Sequence, residues 1–200
     1  VESVHYQGTM TTTDGDAGTV DIIFMRPYYQ LIVVEVENIR QTTALSGYDG
    51  WEKVEDMNNA ADWQLTLLEA PQIRRLQANA WESLNFYKVN RQKKVVVTYE
   101  GESEIDGITC DEIAFRHDAT IRFVRYFDVA TGRLVLSTTE QGGEIREEGE
   151  LMVDGIRFPK RLQTSVGENS STIEFELIQV NQTYDEDLFD VPMLMPSPGS

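Results

Sequence analysis

The sequence has a single cysteine, Cys110, among its 200 residues. One cysteine cannot form an intramolecular disulfide or a thiolate metal cluster. Cys110 shares a predicted strand face with Ile108, and the carboxylates of Asp111 and Glu112 beside it favour the protonated thiol. The cysteine is therefore predicted to be a packing residue and not a nucleophile.

Basic side chains are scarce, with 17 Lys and Arg against 34 Asp and Glu and a net charge of −17. Phosphate backbones and anionic lipid surfaces bind proteins through clusters of Lys and Arg. Nucleic acid is therefore not predicted as a partner. The mild cluster of Arg91, Lys93 and Lys94 is interpreted as a solvated strand edge that discourages sheet aggregation.

Long apolar runs are also missing, and no segment approaches the roughly 20 residues of a membrane-spanning helix. No transmembrane segment is predicted. The chain starts at Val1 without a charged-then-apolar leader, which is consistent with a trimmed or mature product whose secretory or lipoprotein leader was removed. The length predicts one domain with one core over residues 1–192, followed by a flexible tail over residues 193–200.

Motifs for nucleophilic or nucleotide chemistry are absent: the chain has no Gly-x-Ser-x-Gly elbow, phosphate-binding glycine loop or dinucleotide fingerprint. Its two histidines, His5 and His117, lack a metal-ligand spacing. His117 adjoins Asp118 in a predicted strand connection and is interpreted as a turn residue. These absences predict a protein that is not an enzyme and that holds no cofactor and no metal.

Carboxylates are too abundant for any one pair to indicate acid/base catalysis. Glu147-Glu148 and the pair of Glu102 and Glu104 are interpreted as solvated residues at turns or strand edges. An acid-dependent hydrolase is thus only a third hypothesis. The acidic stretches at residues 14–16 and 185–190 bring oxygen ligands close together, but neither completes an EF-hand loop, so calcium is not predicted.

Short β-rich runs, separated by turns of glycine, aspartate or asparagine, dominate the chain. Residues 4–10 alternate in the manner of a strand with one buried face, residues 19–26 and 29–37 are rich in β-branched side chains, and residues 41–55 hold a short hairpin with an Asp-Gly turn. The second half predicts seven consecutive antiparallel strands that extend the same sheet. These strands are residues 93–99, 108–116, 121–128, 134–139, 144–153, 156–165 and 172–181.

The helical pattern is confined to residues 60–86, where apolar side chains recur at spacings of three, four and five. This pattern predicts one or two amphipathic helices, with Pro71 either opening the second or breaking the first. A wide antiparallel sheet needs a cover for its apolar face, and this segment is the predicted cover.

A curved sheet around a helical segment leaves a concavity, which is predicted to be the ligand-binding site. It can hold an acyl chain, or its own side chains can fill it, because protein interiors pack to high density. The predicted lining comes from the strands and from the cover. The strand residues are Phe24, Val33, Val97, Phe123, Leu136 and Phe175, and the cover residues are Trp63, Trp81 and Phe86.

Four short motifs follow one another between residues 95 and 192. They are Asp106-Gly107-Ile108-Thr109-Cys110, Tyr126-Phe127-Asp128 with Thr131-Gly132-Arg133-Leu134, Val153-Asp154-Gly155-Ile156-Arg157-Phe158-Pro159, and Leu188-Phe189-Asp190-Val191-Pro192. In this order they resemble the LolA/LolB-like superfamily of envelope proteins, which comprises the periplasmic lipoprotein carriers and their relatives. The Asp49-Gly50-Trp51 turn is similar to the first half of that superfamily.

The resemblance implies a mainly β α+β fold, an unclosed antiparallel β-barrel of about eleven strands wrapped around a short helical lid. It also implies a hydrophobic cavity for lipid acyl chains and an exported protein, periplasmic or associated with the outer membrane. The first hypothesis is therefore a non-enzymatic envelope protein that binds an acyl chain or lipoprotein. The alternative is a structural or sensory domain with a packed core and no ligand, which docks another envelope protein.

Overall fold

The computed structural model describes residues 1–86 and 95–192, which are mostly β-strand. The elements of the first half are β1 Ser3–Thr12, β2 Ala17–Met25, β3 Tyr29–Val36, β4 Ile39–Ser46, β5 Asp49–Asp56, β6 Trp63–Leu67 and helix α1 Ala70–Asn85. Those of the second half are β7 Val96–Ile105, β8 Ile108–Arg116, β9 Arg122–Asp128, β10 Leu134–Thr139, β11 Gly143–Glu148, β12 Leu151–Val153, β13 Ile156–Phe158, β14 Arg161–Val166 and β15 Asn169–Val180. A 3₁₀ turn at Glu186–Phe189 follows.

Thirteen of these strands form one antiparallel sheet in the order β6-β5-β4-β3-β2-β1-β15-β14-β11-β10-β9-β8-β7. β1 pairs with β15 along its length, with Val4 opposite Val180, so the first and last strands join the two halves in the middle of the sheet. β6 and β7 are its two edges, and the sheet does not close. The unclosed, mainly β architecture is confirmed, with thirteen strands in the sheet against the eleven or so implied by the resemblance.

The Asp-Gly turns of the second half are confirmed. Asp106-Gly107 joins β7 to β8 with φ values of 50° and 80°, and Asp154-Gly155 joins β12 to β13 with 49° and 76°. Positive φ at both central residues is the requirement of the tight hairpin turns that match strand twist. The Asp-Gly turn predicted before Trp51 is displaced, because Gly47-Tyr48 forms the turn and Gly50 already lies in β5.

The helix is shorter than predicted. The helical interpretation is wrong for residues 63–67, because these residues pair with β5 as strand β6, and pairing within the sheet outweighs their mixed periodicity. α1 begins at Ala70 with Pro71 in its first turn and with reciprocal capping between Glu69 and Gln72. Pro71 therefore opens the helix, which was one of the two predicted alternatives.

Two predicted strands are each divided. Residues 144–153 break at Gly149, which has φ of 67°, and residues 156–165 break at Pro159. The pieces β12 and β13 leave the main sheet as a separate hairpin. The start of the strand predicted at residue 93, the cluster of Arg91, Lys93 and Lys94 and the predicted tail over residues 193–200 lie outside the described residues.

The sheet has two distinct faces. We call the face on which α1 packs the inner face and the other the outer face. The inner face carries the larger core, into which Ala80 and Leu84 of α1 and Phe158 of the β12–β13 hairpin pack. The outer face carries a second core of Ile23, Leu31, Ala44 and Trp51, covered by Phe189. The helical segment thus covers the inner face as predicted.

Cys110 is fully buried on β8. Burial raises the pKa of the Cys110 thiol, and the charges of Asp128 and Asp111 raise it further. The interpretation of this cysteine as a packing residue agrees with its surroundings. No helix within residues 1–86 and 95–192 combines the length and the apolar character needed to span a bilayer.

Candidate functional site

The structure places six of the nine predicted lining residues on the inner side. Phe24 and Phe175 belong to the inner core, Phe86 at the end of α1 packs edge-on to Phe158, and Trp81 is buried on α1. Val97 and Phe123 join this set because both are register neighbours of Phe115, and Phe123 clusters with Ala78 of α1.

The other three, Val33, Trp63 and Leu136, lie on the outer face. Val33 lies opposite Asp21 and Thr42, while its neighbour Val34 lies opposite Val20 of the inner core. Trp63 is opposite Glu55, and Leu136 is opposite Tyr126. Because side chains alternate along a strand, a one-residue error in parity moves a residue to the other face. That these nine residues contact a ligand stays a prediction.

The inner face carries a row of apolar residues that crosses six strands near one end of the sheet. Register pairs Leu162 of β14 with Ile173, Ile173 with Met10, Met10 with Gly18, Gly18 with Val36 and Val36 with Ile39. We call this set the distal row. A Cβ atom at Gly18 would lie 2.1 Å from the carbonyl oxygen of Glu35, so the absence of a side chain there lets β2 and β3 approach.

α1 lies toward the opposite ends of the same strands. Asn79 Nδ2 donates to Gln30 Oε1 at 3.3 Å, and Gln77 Nε2 donates to the Gly47 carbonyl at 2.8 Å. Gln30 and Val36 are six residues apart on β3, about 20 Å at ~3.3 Å per residue, whereas a helix is only about 10 Å wide. The distal row therefore extends beyond the helix, and Ile39 at its end is 41% exposed.

A buried ionic network joins α1 to the second half of the sheet. Glu82 of α1, 3% exposed, accepts a hydrogen bond from Arg125 Nε at 3.0 Å, and its Oε1 lies 2.6 Å from His117 Nε2. Arg125 Nη1 also donates to Ser137 Oγ at 2.7 Å. His117 lies in the β8–β9 connection, as predicted, and its ring packs edge-on against Trp81.

Glu147 occupies the inner face of β11, opposite Leu162 of the distal row. Burial raises the pKa of Glu147 to about 7, while the positive charges of Arg125 and Arg157 act in the opposite direction. Its interpretation as a solvated residue is wrong, because strand parity turns it inward. The adjacent Glu148 is on the outer face, where it forms an ion pair with Arg161 at 3.5 Å.

An open groove of about 730 Å³ lies on the outer face. Ile23, Leu31, Val33 and Trp51 contribute its apolar floor. Its rim is charged, and most of these side chains contact a partner of opposite charge or a histidine, whereas Glu176 has no ion pair within the described residues. The contacting pairs are Arg40 with Glu35 at 2.6 Å, Arg40 with Glu55 at 3.3 Å, Lys53 with Glu55, and His5 with Asp21 at 2.9 Å.

The C-terminal motif around Phe189 forms a strap across one end of the outer face. Phe189 is fully buried beside Tyr29, and Trp51 Nε1 donates to its carbonyl oxygen at 2.9 Å. Ser46 donates to Asp190 at 2.8 Å. A second cavity of about 470 Å³ lies beside the strap, lined in part by Leu68, Ile73 and Val191.

The aspartates near the C-terminus have structural roles. Asp185 caps the 3₁₀ turn by accepting from the Asp187 amide, and Asp190 accepts from Ser46. In the part of the chain that the structure describes, no group of three or more His, Cys, Asp and Glu side chains is placed to hold a metal ion.

Sequence reasoning missed the outer groove and the ionic network under α1. The groove had a weak signal, since alternate residues of β3 and β4 on that face pass from apolar to charged, from Leu31 to Glu35 and from Ala44 to Arg40. The network had no such signal, because Glu82 and Arg125 are 43 residues apart and are brought together only by the docking of α1.

Neither a family model nor a curated protein sequence matches the chain. Solved structures do. A LolA superfamily protein from Nitrosomonas europaea aligns with a TM-score of 0.60 and 12% identity over 95% of this chain and 90% of its own. A DUF1329 family protein from Desulfovibrio piger aligns with a TM-score of 0.58 and 8% identity over 94% and 90%.

An outer membrane lipoprotein-sorting protein domain from Vibrio parahaemolyticus aligns with a TM-score of 0.57 and 7% identity over 94% of this chain and 89% of its own. At these identities the likeness is one of fold. The chain therefore has the fold of the LolA superfamily, which confirms the architecture that the four sequence motifs implied.

Proposed function

We propose that this protein is a non-enzymatic envelope protein that binds an acyl chain, free or attached to a lipoprotein, on the inner face of its sheet. The observation that carries the proposal is the distal row, an apolar surface that continues the inner core past the reach of α1. Half-exposed apolar side chains next to a core are a common feature of hydrophobic ligand sites. A chain laid along this row would complete the burial of Met10 and Val36.

The fold likeness supports the same class of function, because one similar structure is a LolA superfamily protein and another is a lipoprotein-sorting domain. It also supports a place in the cell envelope, periplasmic or associated with the outer membrane. Fold alone does not assign function. A direct measurement of acyl-chain binding is the appropriate test.

The expected affinity follows from the area that an acyl chain buries. A palmitoyl chain has about fourteen methylenes, each worth about 0.8 kcal/mol when removed from water, or roughly 11 kcal/mol in total. Association costs at least about 4 kcal/mol, which leaves about 7 kcal/mol and a Kd on the order of 10 μM. An acyl chain that is only partly buried along the open row would bind more weakly, with a Kd above this value.

A matched pair of variants separates the inner face from the outer groove. Val34 and Val33 are neighbours on β3 with the same intermediate exposure, but Val34 contacts the inner core and Val33 lines the outer groove. We expect Val34→Gln to weaken binding of a fluorescent fatty acid by delipidated protein about tenfold, through the cost of a polar group in the apolar site. Val33→Gln should leave binding unchanged.

Native mass spectrometry after gentle purification adds a test that needs no probe. Co-purified lipid on the wild-type protein, lost in Val34→Gln, would support the inner site. The reverse pattern, in which only Val33→Gln weakens uptake, would place the ligand in the outer groove. The absence of both bound lipid and saturable uptake would refute the proposal.

The β12–β13 hairpin favours the alternative function. Its apolar residues Leu151, Val153, Ile156 and Phe158 pack against the inner core and fill part of the concavity with the protein's own side chains. If lipid binding fails, we propose a structural or sensory domain that docks an envelope protein through its outer face. Crosslinking in intact cells, followed by mapping of the crosslinked residues, tests this alternative, and crosslinks confined to the inner face would contradict it.

A further inference from the structure

We infer that the ligand is an amphiphile with one aliphatic chain and a cationic amine in its head group, with the amine at Glu147 and the chain along the distal row. This inference rests on the proposed function, and it adds the chemistry of the head group and the direction of the chain. Its basis is the position of the Glu147 carboxyl group at the β11 end of the distal row.

The register supplies the geometry. Glu147 is the next position after Leu162 in the lateral series that continues through Ile173, Met10 and Val36. Adjacent strands are about 4.8 Å apart, so the four steps from β14 to β3 span about 19 Å. One leaflet of a bilayer core is about 15 Å thick, half of its ~30 Å, so an acyl chain fits this span.

Charges on the surrounding elements determine the sign of the head group. Under α1, the charge of Glu82 is neutralised by Arg125 of β9, and His117 contacts the second carboxylate oxygen of Glu82. Arg157 of the hairpin is exposed to solvent, where its charge is screened. Glu147 has no ion-pair partner within residues 1–86 and 95–192, so a cation is its complement. Asp56, opposite Ile39 at the other end of the row, has no ion pair there either, but it accepts hydrogen bonds from Asn38 Nδ2 at 2.9 Å and from the Asn58 amide at 2.8 Å.

Burial supports the same conclusion. The pKa of the Glu147 carboxyl is raised to about 7 because its charge is removed from water without sufficient compensation. A buried carboxylate beside an apolar surface is costly unless it is paired. A cationic group placed there would supply the missing partner and lower the pKa of Glu147 below its value in the free protein.

The test compares three probes with the same chain: dodecylamine, dodecanoate and dodecanol, each below its micelle concentration and at about 150 mM salt. Competition with a fluorescent fatty-acid probe gives the affinities. At pH 8.5, where Glu147 is ionised, we expect dodecylamine to bind wild-type protein at least tenfold more tightly than dodecanol, and dodecanoate to bind more weakly than dodecanol because its carboxylate repels that of Glu147. The preference should fall toward unity at pH 5.5, where Glu147 is protonated.

Two charge-matched variants control for the net charge of −17, which attracts any cation. Glu147→Gln should remove the amine preference, whereas Glu148→Gln, its neighbour on the outer face, should keep it. Equal affinity of all three probes for the wild-type protein would overturn this inference and leave the proposed function standing. Failure of all three probes to bind would overturn both.

Discussion

At the residue scale, two carboxyl groups, one on α1 and one on the inner face of the sheet, are in contrasting electrostatic states. Glu82 is buried between Arg125 and His117, whereas Glu147 is half-buried and has no ion pair within the described residues. Buried charges are tolerated when they are paired and hydrogen-bonded, and they cost free energy when they are not. The two residues therefore predict opposite responses to substitution.

Glu147→Gln should stabilise the protein at alkaline pH. The folded protein holds the Glu147 proton up to about pH 7, while the unfolded chain loses it near the ordinary glutamate pKa of 4.5, so stability falls as pH rises between these values. Removing the charge should raise the free energy of unfolding by about 1–3 kcal/mol at pH 8.5 and by little at pH 4.5. Urea unfolding of both proteins at the two pH values measures this.

Glu148→Gln is the control for that experiment, because Glu148 is on the outer face and pairs with Arg161 at 3.5 Å. A surface pair of this kind contributes less than about 1 kcal/mol. A stability gain that is the same at both pH values, or equal in the two variants, would contradict the account of Glu147.

Glu82→Gln should destabilise the protein strongly. The substitution leaves the buried Arg125 charge without its carboxylate, and breaking a buried pair from one side costs about 3–5 kcal/mol. The matched control is Glu174→Gln, which removes an ion pair with Arg161 between half-exposed side chains and should cost no more than about 1 kcal/mol. Similar losses of unfolding free energy in the two variants, measured by urea unfolding, would show that the network under α1 stabilises the protein no more than a surface ion pair does.

At this scale, the main difficulty in prediction was to assign the residues of a strand to the inner or the outer face of the sheet. In β3, Leu31, Ile32, Val33 and Val34 are all apolar, because the inner and outer faces both carry a core, so alternation gives no signal. Phe24 and Phe175 belong to the inner core, whereas Val33 lines the groove on the outer face. Parity in such a strand is determined by its pairing partners, which local sequence does not encode.

At the element scale, the β12–β13 hairpin matters most for the site. Its two sides differ: Phe158 is 2% exposed against the inner core, and Met152 on the other side is 60% exposed. The sequence predicted continuous strands here, since β-branched and apolar residues run through both segments. The hairpin folds away because Gly149 and Pro159 interrupt the two ladders at matching positions.

Phe158→Ala should therefore reduce the free energy of unfolding by about 3–5 kcal/mol, the usual cost of deleting a buried phenylalanine ring. Met152→Ala on the exposed side should change it by less than about 0.5 kcal/mol. If the folded Phe158→Ala protein binds the fluorescent fatty acid more tightly than wild type, the ring occupies space that a ligand can use. Equal destabilisation by the two variants would contradict the packing of this hairpin.

At the scale of the whole molecule, the pairing of β1 with β15 makes the sheet one unit. The two strands are more than 150 residues apart in sequence, and their pairing holds both halves together. The short turns between β-rich runs located the strands along the sequence. The prediction that the second half extends the same sheet is confirmed. The central position of the β1–β15 pair could not be inferred, because it depends on pairing over the longest sequence separations.

This architecture predicts one cooperative unfolding transition for residues 1–192. Tryptophan fluorescence reports mainly on the first half, through Trp51, Trp63 and Trp81, while far-UV circular dichroism reports on all strands. The two signals should change at the same urea concentration. Deletion of residues 1–16, which removes β1 from the centre of the sheet, should abolish the transition. Two separated transitions in the intact chain would show that the halves fold independently.

The open edges at β6 and β7 have a consequence for the range of molecules that such a protein can accept. In a closed barrel, the radius follows from strand number and stagger and cannot change without breaking hydrogen bonds. A sheet with free margins can instead adjust its curvature through small changes of twist shared among its strands. If the proposed ligand binds on the inner face, the sheet would follow the width of that ligand by changing its curvature, without loss of strand pairing.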